Sequence, residues 1–374
     1  MTTKMDNLER QGGPATGNFL QYAQVFFALL LFIFAIDLLT VGVGNINGGL
    51  ALEILNATKN PFISLFIGLL VTALIQSSST VTASVVAIVA SGNLTLQQAV
   101  PIVLGANIGT TLTSTLVSLS YLMNKKEFRR ALSAGISHDL FNILSVFLLF
   151  PLEIYFGFLS KTASHIADWF ASDNSFEGPI VYNRMFTRSW TEWVVTQIHQ
   201  PVVSMILSIV LVFIAIKVLS TAMYKSFIKN TFQDINKVIF QKTGLAFFYG
   251  LFFTAAVQSS TVTTSLVVPL VASKKVTLSK AFPFIIGANI GTTITAVIAS
   301  IYKPEAAIAL ALVHVLFNSF GALIFLPFSG IRKIPVWIAN YMGRISLKYR
   351  IVGFAYILLT FFIIPFLLIY FTKG

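Results

Sequence analysis

The sequence predicts an all-α polytopic membrane protein made of two inverted-topology repeats, each with a re-entrant helical hairpin and a broken transmembrane helix. Three observations carry this expectation. The 374-residue chain is 56% hydrophobic and only 10% charged, where a soluble domain carries roughly 25% charged residues. Apolar runs recur at 19–39, 136–152, 202–219, 306–326 and 352–371, at or near the roughly 20 residues a spanning helix needs. One block of polar and apolar sequence occurs twice. The alternating ten-residue pattern of a transmembrane barrel is not found.

Taken in order, residues 1–18 are polar, then Gly- and Pro-bearing, and are expected in the cytoplasm. The apolar run after them is too long for a cleavable signal peptide and offers no small-residue cleavage site. Residues 60–157 form the first repeat, with its hairpin at 61–91. Residues 158–200 read as an extracytoplasmic loop, and 201–243 as a connecting helix with a cytoplasmic linker. Residues 244–330 form the inverted second repeat, with its hairpin at 244–273. Residues 331–374 are C-terminal helices. There are no cysteines, so neither a disulfide framework nor thiol chemistry arises. The net charge of +12 is assigned to basic cytoplasmic loops rather than to nucleic acid.

The repeat is visible in polar residues, which chance similarity between apolar segments does not produce. Gln76 and Gln258 each stand 29 residues before an identical heptapeptide, Gly-Ala-Asn-Ile-Gly-Thr-Thr, at 105–111 and 287–293. Without gaps, 76–113 and 258–295 share 21 of 38 residues. His138 and Asn142 match His314 and Asn318, and a proline follows each His by 13 residues, at Pro151 and Pro327.

Orientation follows from Lys and Arg, which favour the cytoplasmic side. Placing the clusters at 125–130, 225–242, 274–280 and 332–350 inside, with Lys4 and Arg10, puts 18 of the 25 basic residues in the cytoplasm. The segments 61–91 and 244–273 are each interrupted by the polar motif, and each flank is too short to cross alone. They read as hairpins with the motif at the tip, the first entering from outside and the second from inside. That opposition is the mark of inverted-repeat transporters. Residues 335–347 read as interfacial, which leaves the C-terminus outside.

Broken helices at membrane depth survive only where they line protein or water. Two tips meeting there would aim helix N-termini, with their partial positive charge and free N–H groups, at one space suited to an anion. Gln76, Ser77, Ser78, Ser79, Gln258, Ser259, Ser260 and Thr261 add neutral donors and acceptors. No Arg or Lys lies in either motif, so a cotransported cation would balance the anion. Hydroxyl and carbonyl oxygens suit Na+, and the expected sodium ligands are Thr80, Asn107, Thr110, Thr111, Thr261, Asn289, Thr292 and Thr293. The candidate intramembrane carboxylates, Asp37 and Asp139, occupy unduplicated positions, which favours Na+ over proton coupling. Gly105-xxx-Gly109 and Gly287-xxx-Gly291 suit either close helix packing or backbone opening. His138 and His314 read as structural groups that fix Asn142 and Asn318 one turn away.

At these residues the chain resembles the type II sodium–phosphate cotransporter family. The resemblance rests on QSSST at 76–80, the repeated GANIGTT, and EFRRALSAGISHDLFN at 127–142, and it covers both repeats. It implies a transporter rather than an enzyme, with inorganic phosphate and Na+ as partners and no cofactor beyond the cotransported ion. It assigns the phosphate site to Gln76, Ser77, Ser78, Ser79, Gln258, Ser259 and Ser260; the third serine of the second motif is Thr261 here. It also implies a cytoplasmic C-terminus, which would make 335–347 an extra span. The cysteine-free chain fits a compact bacterial relative, multi-pass in the inner membrane. Assembly as a homo-oligomer is left open.

Physical chemistry alone does not separate phosphate from sulfate or a carboxylate; the resemblance makes that choice. A serine hydrolase would need one activated Ser beside a base, and here the Ser cluster is duplicated without a Gly-x-Ser-x-Gly elbow. A channel would not concentrate substrate against a gradient.

Overall fold

Residues 14–46, 48–172, 186–225, 238–349 and 351–372 are described in the computed structural model. Most of the predicted cytoplasmic N-terminus, part of the 158–200 loop and most of the cytoplasmic linker lie outside the described residues. The described regular structure is helical. Seven helices are long and apolar enough to span a bilayer: 22–44, 96–121, 125–156, 201–223, 278–300, 305–325 and 351–371. The chain is a multi-pass membrane protein.

The first repeat begins after helices α1 (Pro14–Gly44) and α2 (Gly48–Ala57). Asn60 caps α3 (Pro61–Ile75), accepting the N–H groups of Phe62 and Ile63, with Pro61 where its missing N–H costs nothing. α4 (Ser78–Ala90) follows, and Thr95 with Gln98 closes a capping box on α5 (Leu96–Ser118). α6 (Lys125–Phe156) completes the repeat. The expected loop 158–200 contains α7 (Phe158–Ser172) and α8 (Arg188–Ile198), and α9 (Pro201–Met223) leads to the linker.

The second repeat runs through α10 (Thr243–Val257), α11 (Ser260–Ser265), α12 (Val267–Ala272), α13 (Leu278–Thr292), α14 (Ile294–Ser300) and α15 (Glu305–Phe325). α11 and α12 together match the unbroken α4. The break between them has a local cause: Pro269 has no N–H for the carbonyl of Ser265, and Ala87 occupies the matching position in α4. At roughly 1.5 Å per residue, the 15-residue helices α3 and α10 fall short of a 30 Å core. α16 (Ser329–Lys348) is not among the seven spans, which weighs against an extra crossing at 335–347. It packs on α6, with Gly343 against Arg129 and Ser133. α17 (Ile351–Leu358) and α18 (Ile364–Thr372) join through a π turn to make the last span.

One expectation is corrected in the first repeat. α5 runs unbroken through 105–111, and only a single-residue interruption at Thr293 divides α13 from α14. The glycines of the heptapeptide serve packing instead. A Cβ on Gly105 would overlap the carbonyl of Leu65, and one on Gly68 that of Ile102. In the second copy Gly287 meets Phe247 and Gly250 meets Phe284 in the same way. Backbone thus touches backbone between α3 and α5, and between α10 and α13. Gly105→Ala or Gly287→Ala should lower stability by about 1–3 kcal/mol, the usual cost of overpacking. Thermal unfolding in detergent measures this against Gly330→Ala, where the added methyl meets open space. Equal melting temperatures for all three would refute the packing role.

Candidate functional site

Each polar motif is a two-residue break between helices. Gln76 ends α3 in the left-handed region (φ 57°, ψ 30°), its N–H donating to the Thr72 carbonyl at 2.7 Å. Gln258 ends α10 the same way (φ 55°, ψ 27°), bonded to Thr254 at 2.6 Å. That position usually falls to glycine because a Cβ there is strained. The next residue is extended in both copies, with φ −147° at Ser77 and at Ser259. Their hydroxyl oxygens cap the new helices, accepting the N–H of Thr80 at 3.2 Å and of Val262 at 3.3 Å. One Gln and one Ser therefore stop a helix and start another, leaving first-turn N–H groups open at the break.

The two breaks meet. Ser79 Oγ donates to the backbone carbonyl of Gln258 at 3.0 Å across 179 residues of sequence. Around this contact lies a cavity of about 300 Å³, lined by both motifs and by Phe213, Ile216, Lys217, Ser220 and Thr221 of α9. Gln258 is 8% exposed, and its Oε1 has no hydrogen-bond partner among the described residues. The arrangement offers convergent hydroxyl, amide and N–H groups to a small polar solute.

Gln76, Ser77, Ser78, Ser79, Gln258, Ser259, Ser260 and Thr261 all line this cavity. The other expected sodium ligands do not. Thr80 Oγ1 lies 2.8 Å from Ser77 Oγ, in the first turn of α4. Thr110, Thr111, Thr292 and Thr293 donate to carbonyls of their own helices, those of Ala106, Ile108, Ala288 and Ile290.

Asn107 and Asn289 mark a reciprocal crossing of the two repeats. Asn107 Oδ1 accepts from His314 Nε2 at 3.2 Å and from Asn318 Nδ2 at 3.2 Å. Asn289 Oδ1 accepts from His138 Nε2 at 2.9 Å. The expectation that each His ring fixes the Asn one turn away is corrected. Asn142 and Asn318 instead donate to the backbone carbonyls of His138 and His314, which leaves the rings free to reach the opposite repeat. Ser114 Oγ connects this crossing to the second motif helix, 3.2 Å from His138 Nδ1 and 2.9 Å from Thr264 Oγ1.

Sequence reasoning missed two features. The first is the α9 wall of the cavity, signalled only by one lysine in an apolar run. The second is a buried ion cluster around Asp37, which has no exposed surface. Lys303 Nζ lies 3.2 Å from its Oδ1, Thr187 and Thr191 donate to Oδ2 at 3.0 Å each, and Arg188 stands 3.9 Å away. Burial pulls the Lys303 ammonium below the usual lysine range, and the Asp37 carboxylate opposes that shift.

Fold and site together define a class: a multi-pass helical membrane protein with a duplicated polar break lining a small shared cavity. The chain belongs to the Na+/Pi-cotransporter family, whose sequence model matches residues 31–167 and 209–363. It is 30% identical over 435 residues to the sodium-dependent phosphate transport protein 2B of Pongo abelii, covering 90% of this chain and 63% of that protein. The Homo sapiens 2B protein is 29% identical with the same coverage. The Rattus norvegicus 2A protein is 29% identical over 418 residues, covering 90% and 65% respectively. This chain therefore spans a little under two thirds of the length of these relatives. No solved structure matches it.

Proposed function

We propose that the protein is a secondary active symporter that couples inward movement of inorganic phosphate to the Na+ gradient by alternating access. The observation that carries this reading is the shared cavity in which Gln76–Ser79 and Gln258–Thr261 converge. Membership of a Na+/Pi-cotransporter family and relatives named for sodium-dependent phosphate transport support the choice of ions.

The two breaks are tips of re-entrant hairpins in repeats of inverted topology. Two contacts support the opposition. The first hairpin returns at 90–93, where Asn93 donates to the Val43 carbonyl at the end of α1, the end that also carries the Asp37 cluster. The second hairpin returns at Ala272, whose carbonyl accepts from Arg130 in a basic cluster at 2.6 Å. The open ends of the hairpins thus lie beside opposite ends of the bundle, as inverted repeats require. The cavity is walled by 213–221, near the end of α9 that leads to the basic linker, which supports a cytoplasm-facing reading of this conformation.

In the cycle, phosphate binds Gln76, Ser77, Ser78, Ser79, Gln258, Ser259 and Ser260 through hydroxyls, amides and helix N–H groups. Na+ is cargo rather than a resident cofactor. Thr261 lines the cavity, Asn107 and Asn289 form the crossing, and Thr80, Thr110, Thr111, Thr292 and Thr293 would join only by giving up their present bonds. Sodium engages Asn107 and Asn289 as their oxygens exchange the His314 and His138 bonds for the ion. Binding there and at the tips biases the same two-repeat contact, which couples the two ions.

Radiolabelled phosphate uptake into proteoliposomes tests the reading. An inward Na+ gradient should drive accumulation that an equal K+ gradient does not, and unlabelled sulfate should leave it intact. Equal uptake in both gradients would remove the sodium coupling. Competition by sulfate at equal concentration would remove the phosphate assignment.

A further inference from the structure

We infer that Lys217 supplies the fixed positive charge of the cavity and draws the phosphate anion to the two tips; this rests on the phosphate-symport reading. The motifs themselves are neutral. Among the residues lining the cavity, Lys217 is the one with a full charge.

Its position argues against a merely tolerated lysine. Lys217 stands in a 23-residue span of mean hydropathy 2.9. A cation inside an apolar span is costly unless it faces an aqueous cavity or a partner. No carboxylate of the described residues pairs with it; the described ion pairs are those of Arg188 and Lys303. The Lys217 Nζ lies 5.7 Å from the centre of the Phe213 ring, one turn back along α9, the way helical side chains lean. Phe213 itself lines the cavity. Lys217 and Phe213 thus share the wall of a cavity whose other lining groups are neutral. A cation with no carboxylate partner, on the wall of a cavity lined by neutral donors, raises the local concentration of anions before they dock.

The chain has no cysteine, so Lys217→Cys places a single thiol at this site. That variant should raise the KM for phosphate about tenfold, near the scale of one charge–charge contact in water, with kcat within about twofold. Modification by a cationic aminoethyl methanethiosulfonate should return KM toward wild type, and an anionic sulfonatoethyl reagent should raise it further. Lys217→Arg should keep KM within about threefold, and Lys217→Gln should behave like the unmodified thiol variant. Phosphate should slow the modification. Unchanged KM in the Cys and Gln variants, with modification indifferent to phosphate, would overturn the inference and leave a snorkelling lysine. If the wild type shows no Na+-driven phosphate uptake, the symport reading fails separately. Modification rates then decide alone: protection by phosphate upholds the charged anion site, and equal rates overturn it.

Discussion

Gln76→Gly and Gln258→Gly are expected to cut Na+-dependent uptake at least roughly tenfold while leaving the protein about as stable as wild type. The expectation separates two jobs that the glutamines combine. Each holds a left-handed φ that ends a helix, and each presents a carboxamide to the cavity. Glycine performs the first job better, since a Cβ in that region costs about 1 kcal/mol or more. It gives back roughly 0.5–1 kcal/mol through the freedom of the unfolded chain, so the net change is small. Glycine cannot perform the second job. Gln→Ala is the control that keeps the strain and removes the carboxamide, and it should lose uptake to the same degree. Melting temperature in detergent and initial uptake rate, measured on the same preparations, decide the matter. Glycine variants that transport normally would reduce both glutamines to turn formers. A melting temperature that falls in step with uptake would mean that the carboxamides hold the tips together rather than the substrate.

What the sequence revealed and what it hid divide along the range of the interactions. Hydropathy and the duplicated motifs are local, so the spans and both polar breaks could be placed from residues alone. The heptapeptide glycines were ambiguous because glycine serves close packing and backbone opening equally well; only the positions of Leu65 and Phe247 decide between them. Pro269 was in plain view, but its effect on the return helix depends on which carbonyl it deprives. The His–Asn crossing was hidden because its partners lie 151 and 207 residues apart, in opposite repeats. Lys217 escaped notice for a related reason. The charge of the cavity was sought inside the motifs, whereas α9 carries it from outside both repeats.

The buried ion cluster has the same long-range character, and a large effect is expected from breaking it. Lys303→Met should destabilise the protein by about 3–5 kcal/mol, because it strands the Asp37 carboxylate where no water reaches. Two threonine hydroxyls would remain on Oδ2, and they bring no charge. Arg188 would remain too, but at 3.9 Å against the 3.2 Å of Lys303. The double variant Asp37→Asn with Lys303→Met should recover most of the loss, since a buried pair exchanged for neutral groups of similar size is often close to neutral in energy. A double-mutant cycle on melting in detergent measures the coupling directly. The cluster ties α1 and α8 to the turn at 301–304, so its loss should loosen that end of the bundle first. A Lys303→Met protein as stable as wild type would mean that solvent reaches Asp37, and that helix packing alone holds these elements together.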